Sequence, residues 1–348
     1  MKRLMVIGIA VFFIASVASA QLAEVKVGKG DLKIGAILQS RFDYSLEEDS
    51  LVTNGQFTLN RARLLLSGTI CPDRVKYFVQ TEFVGAPAIL DYKMILLNYI
   101  PKTSIIIGRF LPNFTKYMPM HTGKLNMINY PLFLHSGYGF AVWRQVGFQT
   151  DTQIENEAGM WNFNVGVFNG SDCDGICTNN WSDDNDAKDV LLRVDWKKEM
   201  ASMLHIGGYA WLGNLLLSED EDLATNMFGG FASFMHEQFE GTVEFISRTQ
   251  EMFGNADDVS SMSYYAHAEY KVNAQWGILG RYDFVDPNTD SESKEDAWTW
   301  ITLGVNHYID SWNAMIYLNF IHKMEQEDWG MDESIDNDLI LLQFHVAP

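Results

Sequence analysis

From Asp31 onward the chain alternates: strand-length segments carry an apolar side chain at every second position, and turn-like or acidic stretches separate sixteen such segments. Residues 31–44 show the pattern. Leu32, Ile34, Ala36, Leu38, Phe42 and Tyr44 fall on one face, and Lys33, Gln39, Arg41 and Asp43 on the other. Side chains of a strand point alternately to its two sides, so such a segment suits a wall between lipid and water. No helical periodicity of useful length competes with this reading.

The first twenty residues stand apart from that pattern. Lys2 and Arg3 precede an apolar run from Leu4 to Val17, and Ala18-Ser19-Ala20 forms a small-residue cleavage site. This is the layout of an export signal peptide over 1–20, and the run is shorter than the about 20 residues of a spanning helix. Residues 21–30 then form a short periplasmic lead-in, and 31–348 an all-β transmembrane antiparallel β-barrel. A mean hydropathy close to zero fits either a soluble protein or a barrel that interleaves lipid-facing with polar residues. Aromatic content of 13% favours the barrel.

The alternation predicts strands over 31–44, 55–70, 73–84, 88–100, 102–110, 140–152, 159–169 and 188–197. Eight more follow over 201–212, 225–237, 239–249, 260–271, 274–285, 296–309, 312–325 and 336–347. About 16 strands is an even number, as a closed bacterial barrel needs. Short breaks, such as Cys71-Pro72-Asp73, Pro101-Lys102 and Asp310-Ser311, alternate with longer polar stretches at 45–54, 111–139, 170–187, 213–224, 250–259, 286–295 and 326–335. Short turns therefore belong to the periplasmic rim and long loops to the extracellular one. The short Gly85-Ala86-Pro87 on the long-loop side and the longer turn at 153–158 depart from this rule.

Several segments resemble the phosphate-selective porin O and P family of outer-membrane channels. They are Phe57-Thr58-Leu59-Asn60-Arg61-Ala62-Arg63-Leu64, Gly68, Tyr77-Phe78-Val79-Gln80-Thr81-Glu82-Phe83, Leu90-Asp91-Tyr92, Gly108-Arg109-Phe110-Leu111-Pro112 and Trp143-Arg144-Gln145-Val146-Gly147-Phe148. The likeness covers about a third of the chain by order and spacing of short motifs. It implies a sixteen-stranded homotrimeric pore in a Gram-negative outer membrane, with inward-folded loops and an electropositive constriction that passes phosphate-like anions. Two departures from the family stand out: the chain ends in Pro348 where such barrels end in Phe, and its C-terminal half is strongly acidic.

The net charge of −20 hides a division. Residues 57–145 hold ten Lys and Arg against three acids, whereas residues 146–348 hold nine against thirty-six. Such an asymmetry marks separate electrostatic roles along one chain. On the early strands, alternation turns Lys33 and Arg41, then Arg61 and Arg63, then Lys76, then Lys93 toward the lumen, with Arg109 at the start of the long third loop. One-sign charge inside a low-dielectric wall concentrates counter-ions, and arginine's fork of donors matches phosphate oxygens. The plain alternative is an ordinary polar lumen in which these cations pair with Asp43, Glu82 and Asp91.

Loop 111–139 contains Lys116, His121, Lys124 and His135 and no acid, unlike the other long loops. A loop of this length is generally functional, and inward folding to form a constriction is the reading favoured over a solvated or trimer-latching loop. Cys173 and Cys177 suggest a small disulfide ring, with two free thiols as the alternative; Cys71 has no obvious partner. No catalytic, metal or cofactor constellation is recognised. Trp143, Trp161, Trp196, Trp211, Trp276, Trp298, Trp300 and Trp312 fall near strand ends, which suits interface girdles, or, for Trp298 and Trp300, a sugar-stacking face. The acidic clusters read as solvated outer loops near lipopolysaccharide, and no nucleic-acid partner is indicated.

Taken together, these features lead to an expected anion-preferring passive diffusion channel for phosphate or related oxyanions, with membrane lipids as its surroundings. A general or cation-preferring pore is the closest alternative. A plugged structural or adhesive barrel and an outer-membrane lipase come behind, and no Gly-x-Ser-x-Gly supports the latter.

Overall fold

The computed structural model describes residues 23–46, 55–135, 138–170, 187–218, 221–253, 257–291, 297–325 and 338–347. A short strand β1 (Ala23–Val27) precedes sixteen barrel strands. The first eight are β2 (Gly30–Ser45), β3 (Gly55–Cys71), β4 (Val75–Glu82), β5 (Ala88–Ile100), β6 (Thr103–Phe110), β7 (Gln145–Asn156), β8 (Gly159–Phe168) and β9 (Asp189–Glu199). The others are β10 (Met203–Ser218), β11 (Glu221–His236), β12 (Phe239–Gln250), β13 (Val259–Lys271), β14 (Trp276–Asp286), β15 (Trp298–Asp310), β16 (Ala314–Glu325) and β17 (Leu339–Val346). From β2 on, each strand pairs antiparallel with its sequence neighbours, and β17 returns to β2 from Leu339↔Ser45 to Val346↔Leu38, which closes the barrel. Closure leaves no unpaired sheet edge facing lipid.

Hydrophobic side chains cover the outside, where Leu38, Phe57, Val243, Phe245 and Leu303 are exposed. Short hairpins occur where expected, and Asp73, Lys102, Glu237 and Ser311 take left-handed backbone angles in them (φ 60°, 61°, 49° and 48°). β3 carries a bulge: Gln39 pairs with Arg61 and Ser40 with Leu59, so Asn60 is the extra residue. Leu59 therefore faces out while Asn60 and Arg61 both bond inward, Asn60 to Gln343 and Arg61 to Gln39.

Four sequence expectations change. The lead-in 21–30 contains β1, which pairs with Gly30–Ile34 along the stretch of β2 that β17 does not cover. The stretch 213–224 is largely a continuation of the β10–β11 hairpin, with pairing reaching Ser218↔Glu221. The strand placed at 140–152 begins at Gln145, because Phe140 and Val142 are buried in the loop before it and Trp143 has φ 28°. Finally, the tryptophans are not all girdle residues. Trp161 and Trp276 are exposed, but Trp211 and Trp300 are buried inside the barrel.

What buries them is the third loop. Phe114, Met118, Leu125, Ile128, Leu132, Phe133, Leu134 and Phe140 are at most 4% exposed and form one apolar cluster with inward side chains of the wall. The wall contributes Phe110, Phe168, Leu191, Tyr209, Trp211, Phe231, Ile246, Tyr265, Val285, Trp300, Tyr317, Ile321 and Leu341. Phe133 lies parallel to Tyr265 at 6.0 Å, and Phe114 packs against Tyr209 and Trp211. A barrel usually has a polar interior; here much of it is an apolar core with the loop as its centre. None of the strands β2–β5 contributes to that cluster.

Candidate functional site

The loop's backbone is held by the polar groups of the wall it packs on. Glu244 accepts the Lys116 N–H at 2.7 Å, Asn319 that of Ile128 at 3.1 Å and Asp283 that of Leu132 at 3.0 Å. Arg193 donates to the Thr115 carbonyl, and Arg281 to those of Asn129 and Tyr130. Tyr317 and Asn306 donate to the Leu125 and Asn126 carbonyls. Main-chain polar groups inside a barrel need partners, and Glu244 of β12 and Asp283 of β14 are among them. Glu269 likewise accepts from Asn126 and Tyr308.

Across the interior, β2–β5 carry the basic side chains. Arg41 pairs with Asp43 at 2.9 Å, Arg63 with Glu82 at 2.7 Å, and Arg144, at the loop's end, with Asp91 at 3.1 Å. Arg61 donates to Gln39 at 2.6 Å. Among the described residues, Arg61, Lys93 and Lys124 form no ion pair. The Lys93 ammonium lies over the rings of Phe78 and Phe110 at 5.2 and 5.8 Å.

One turn of the loop, Thr122–Lys124, reaches this wall. Arg63 donates to Thr122 at 3.1 Å, and His121 Nε2 is 3.0 Å from Gln80 Oε1. Burial, with Arg63 beside it, lowers the His121 pKa to about 4, so its imidazole is neutral at physiological pH. Burial raises the Tyr130 phenol, while Arg61, Arg144 and Arg63 pull the other way, which places that ring among three guanidinium groups. Lys124 is exposed.

The sequence-derived candidates thus divide. Arg41, Arg61, Arg63, Lys93, His121 and Lys124 come together. Lys33 and Lys76 lie on the same wall near the periplasmic rim, both exposed. Arg109 is 1% exposed and donates to the carbonyls of Ile89 and Leu90, beside the β5 bulge at Leu90. Lys116 lies on the opposite side, 3.2 Å from His205 and over Phe231 at 5.3 Å; burial and then Arg193 lower its pKa. His135 is half-buried with its ring edge-on to Trp300, and desolvation lowers its pKa. Cys173 and Cys177 lie outside the described residues, and Cys71 is exposed and free.

Sequence reasoning missed Arg144 and Tyr130. Both sit in non-alternating chain, where periodicity assigns no face. The signal available was composition: a loop without acids that is also dense in Phe, Leu, Met, Ile and Tyr.

No family model matches the chain, and no curated protein matches it. Solved structures do. The outer membrane channel DcaP of Acinetobacter baumannii superposes with a TM-score of 0.69 at 10% identity, over 94% of this chain and 100% of that one. The anion-selective porin from Comamonas acidovorans gives 0.66 at 13% identity, over 91% and 99%. OmpF of Salmonella typhi gives 0.63 at 10% identity, over 94% and 100%. The fold is therefore that of the outer-membrane porins: a closed antiparallel barrel of sixteen strands. With its apolar exterior, it places the protein in the outer membrane of a Gram-negative bacterium.

Proposed function

We propose that this protein is a passive diffusion porin whose water-filled channel runs between the β2–β5 wall and the third loop, and that it prefers anions, phosphate or related oxyanions among them. One observation carries the reading. Among the described residues, the lumen-side cations Arg61, Lys93 and Lys124 have no carboxylate partner, whereas Glu244, Glu269 and Asp283 on the far wall bond to the loop or to groups beside it. The loop adds no acid of its own. A constriction edge whose cations outnumber its acids, Asp43, Glu82 and Asp91 each being paired to an arginine, raises local anion concentration. Arginine's paired donors favour oxyanions over spherical halides.

The acidic outer loops support a second reading, a general or cation-preferring pore whose entrance gathers cations. Charges on exposed loops are screened within about 10 Å at 0.1 M salt, so the inner wall is expected to dominate. The reversal potential of the purified protein in a planar bilayer under a KCl gradient decides between the two. A cation-side potential that persists after the outer acids are neutralised sinks the anion reading, and absence of conductance steps sinks the channel itself. A homotrimer fits the same reading, with Phe57 (80% exposed) and Leu59 (69%) prominent on the outer face of β3 as the contact. Chemical crosslinking in mild detergent tests it.

A further inference from the structure

Inside the barrel, five arginines are matched to acids. Arg41 meets Asp43, Arg63 meets Glu82, Arg144 meets Asp91, Arg193 meets Asp195 and Arg281 meets Asp283. Arg248 is not. It lies two residues from the end of β12, toward the extracellular loop that starts after Gln250, and it shares the inward face with Glu244 and Ile246. Its strand neighbours in register are Met227 and Ser261. Its guanidinium stands over the Phe140 ring at 5.5 Å and donates through Nη2 to Ser261 Oγ at 3.1 Å. Nη1 lies against Gly139, where a Cβ would come within 1.4 Å of it. Ser261 donates its own O–H to the Pro287 carbonyl, so its hydroxyl oxygen is free to accept.

Every one of these contacts is uncharged, and Nε is enclosed with no acceptor among the described residues. A half-buried cation without a counter-charge is costly. At those five arginines a carboxylate removes that cost, and at the buried Arg109 two backbone carbonyls take its donors. At Arg248 no described residue does so, and the group keeps unused donors in the fork arrangement that suits oxyanions. Gly139 leaves room for the guanidinium beside the loop's returning leg. A side chain at that position would strike Nη1, and the φ of 74° would strain it as well.

We infer that Arg248, framed by Gly139, Phe140 and Ser261, is an anion-binding site in the extracellular vestibule, separate from the β2–β5 wall, that takes a small dissolved oxyanion of the phosphate or carboxylate type. The site rests on the interior being open to solvent from outside and not on which ion the channel prefers. Occupancy supplies the missing counter-charge and ties the returning leg of the loop to β12 and β13.

The test uses the full-length protein in planar bilayers, with inorganic phosphate added to one side at a time while chloride current is recorded. Arg248→Gln should raise the half-blocking phosphate concentration about tenfold from the extracellular side and leave the periplasmic-side value and the reversal potential unchanged. Arg248→Lys, which keeps the charge but not the fork, should fall between. An extracellular value within twofold of wild type in Arg248→Gln overturns the site. Equal changes from both sides also overturn it, since they show that Arg248 only holds the loop. In detergent, phosphate should raise the melting temperature of wild type more than that of Arg248→Gln. That difference persists even if the channel shows no anion preference, so failure of the selectivity reading and failure of this site are told apart.

Discussion

Replacing Arg61 by Gln removes one cation that no described carboxylate pairs with and leaves Gln39, its hydrogen-bond partner, able to pair with the new amide. A unit charge about 7 Å from a permeating ion contributes between about 0.6 kcal/mol at the dielectric of water and about 2.4 kcal/mol at an effective value of 20. For a half-buried group at a water-filled edge, a middle value of about 1.4 kcal/mol applies, and screening at 0.1 M salt reduces it to about 0.7 kcal/mol. That is about a threefold change in local concentration, downward for an anion and upward for a cation. The permeability ratio should therefore fall about tenfold. Reversal potentials in a KCl gradient read this directly. Arg61→Lys, which retains the charge, should keep most of the selectivity while weakening block by phosphate. A ratio for Arg61→Gln within twofold of wild type would refute the assignment of Arg61 to the conducting surface.

The opposite sign is expected for Glu82→Gln, which frees Arg63 from its 2.7 Å pair and should raise anion preference by a similar factor in the same assay. Phe133→Ala removes a ring that is 1% exposed from the centre of the inner core. It should cost about 3–5 kcal/mol in the loop's packing, visible as noisy, larger single-channel currents. Asp283→Asn leaves Arg281 buried without its carboxylate, a loss of about 3–5 kcal/mol. Because Arg281 also holds the Asn129 and Tyr130 carbonyls, protease sensitivity of the loop should rise. His121 is neutral in the fold with a pKa of about 4, while an unfolded chain takes up its proton near 6.5. Its contribution is therefore complete above pH 6.5 and is lost as pH falls toward 4. Thermal unfolding of His121→Gln should show a flatter dependence over that interval.

The strands were legible because each must satisfy two solvents at once, which forces period-two alternation on β2 as plainly as on β16. The inward placement of Arg61 and Arg63 followed from the same rule even though the Asn60 bulge shifts the phase just before them. Loop 111–139 was legible as an acid-free loop that folds inward, but the wall it packs on was not. Its destination depends on inward aromatics such as Trp211, Tyr265 and Trp300, and from sequence alone an inward tryptophan near a strand end looks like an interfacial one. Arg109 shows the limit from the other side: only the bulge at Leu90, invisible in composition, gives its guanidinium two carbonyls to brace. The β10–β11 extension was hidden by the acidic run Glu219-Asp220-Glu221-Asp222, which suggested solvated loop although hairpins above the membrane surface carry acids freely.

The inner core also constrains how the molecule can be assembled. Leu125 is bonded to Tyr317, 192 residues further along, and Thr122 to Arg63, 59 residues earlier. The loop's partners thus come from strands at both ends of the chain, and most become available only when the last third has been made. Contacts over such separations form late and slowly. After β17 has met β2 the wall itself has no gap, so the segment is either enclosed as the wall rolls up around it or has to carry eight greasy side chains in through the extracellular mouth. Until that moment they need shelter, so a factor that shields the segment before the seam closes should govern the yield of folded protein more than any single hairpin does.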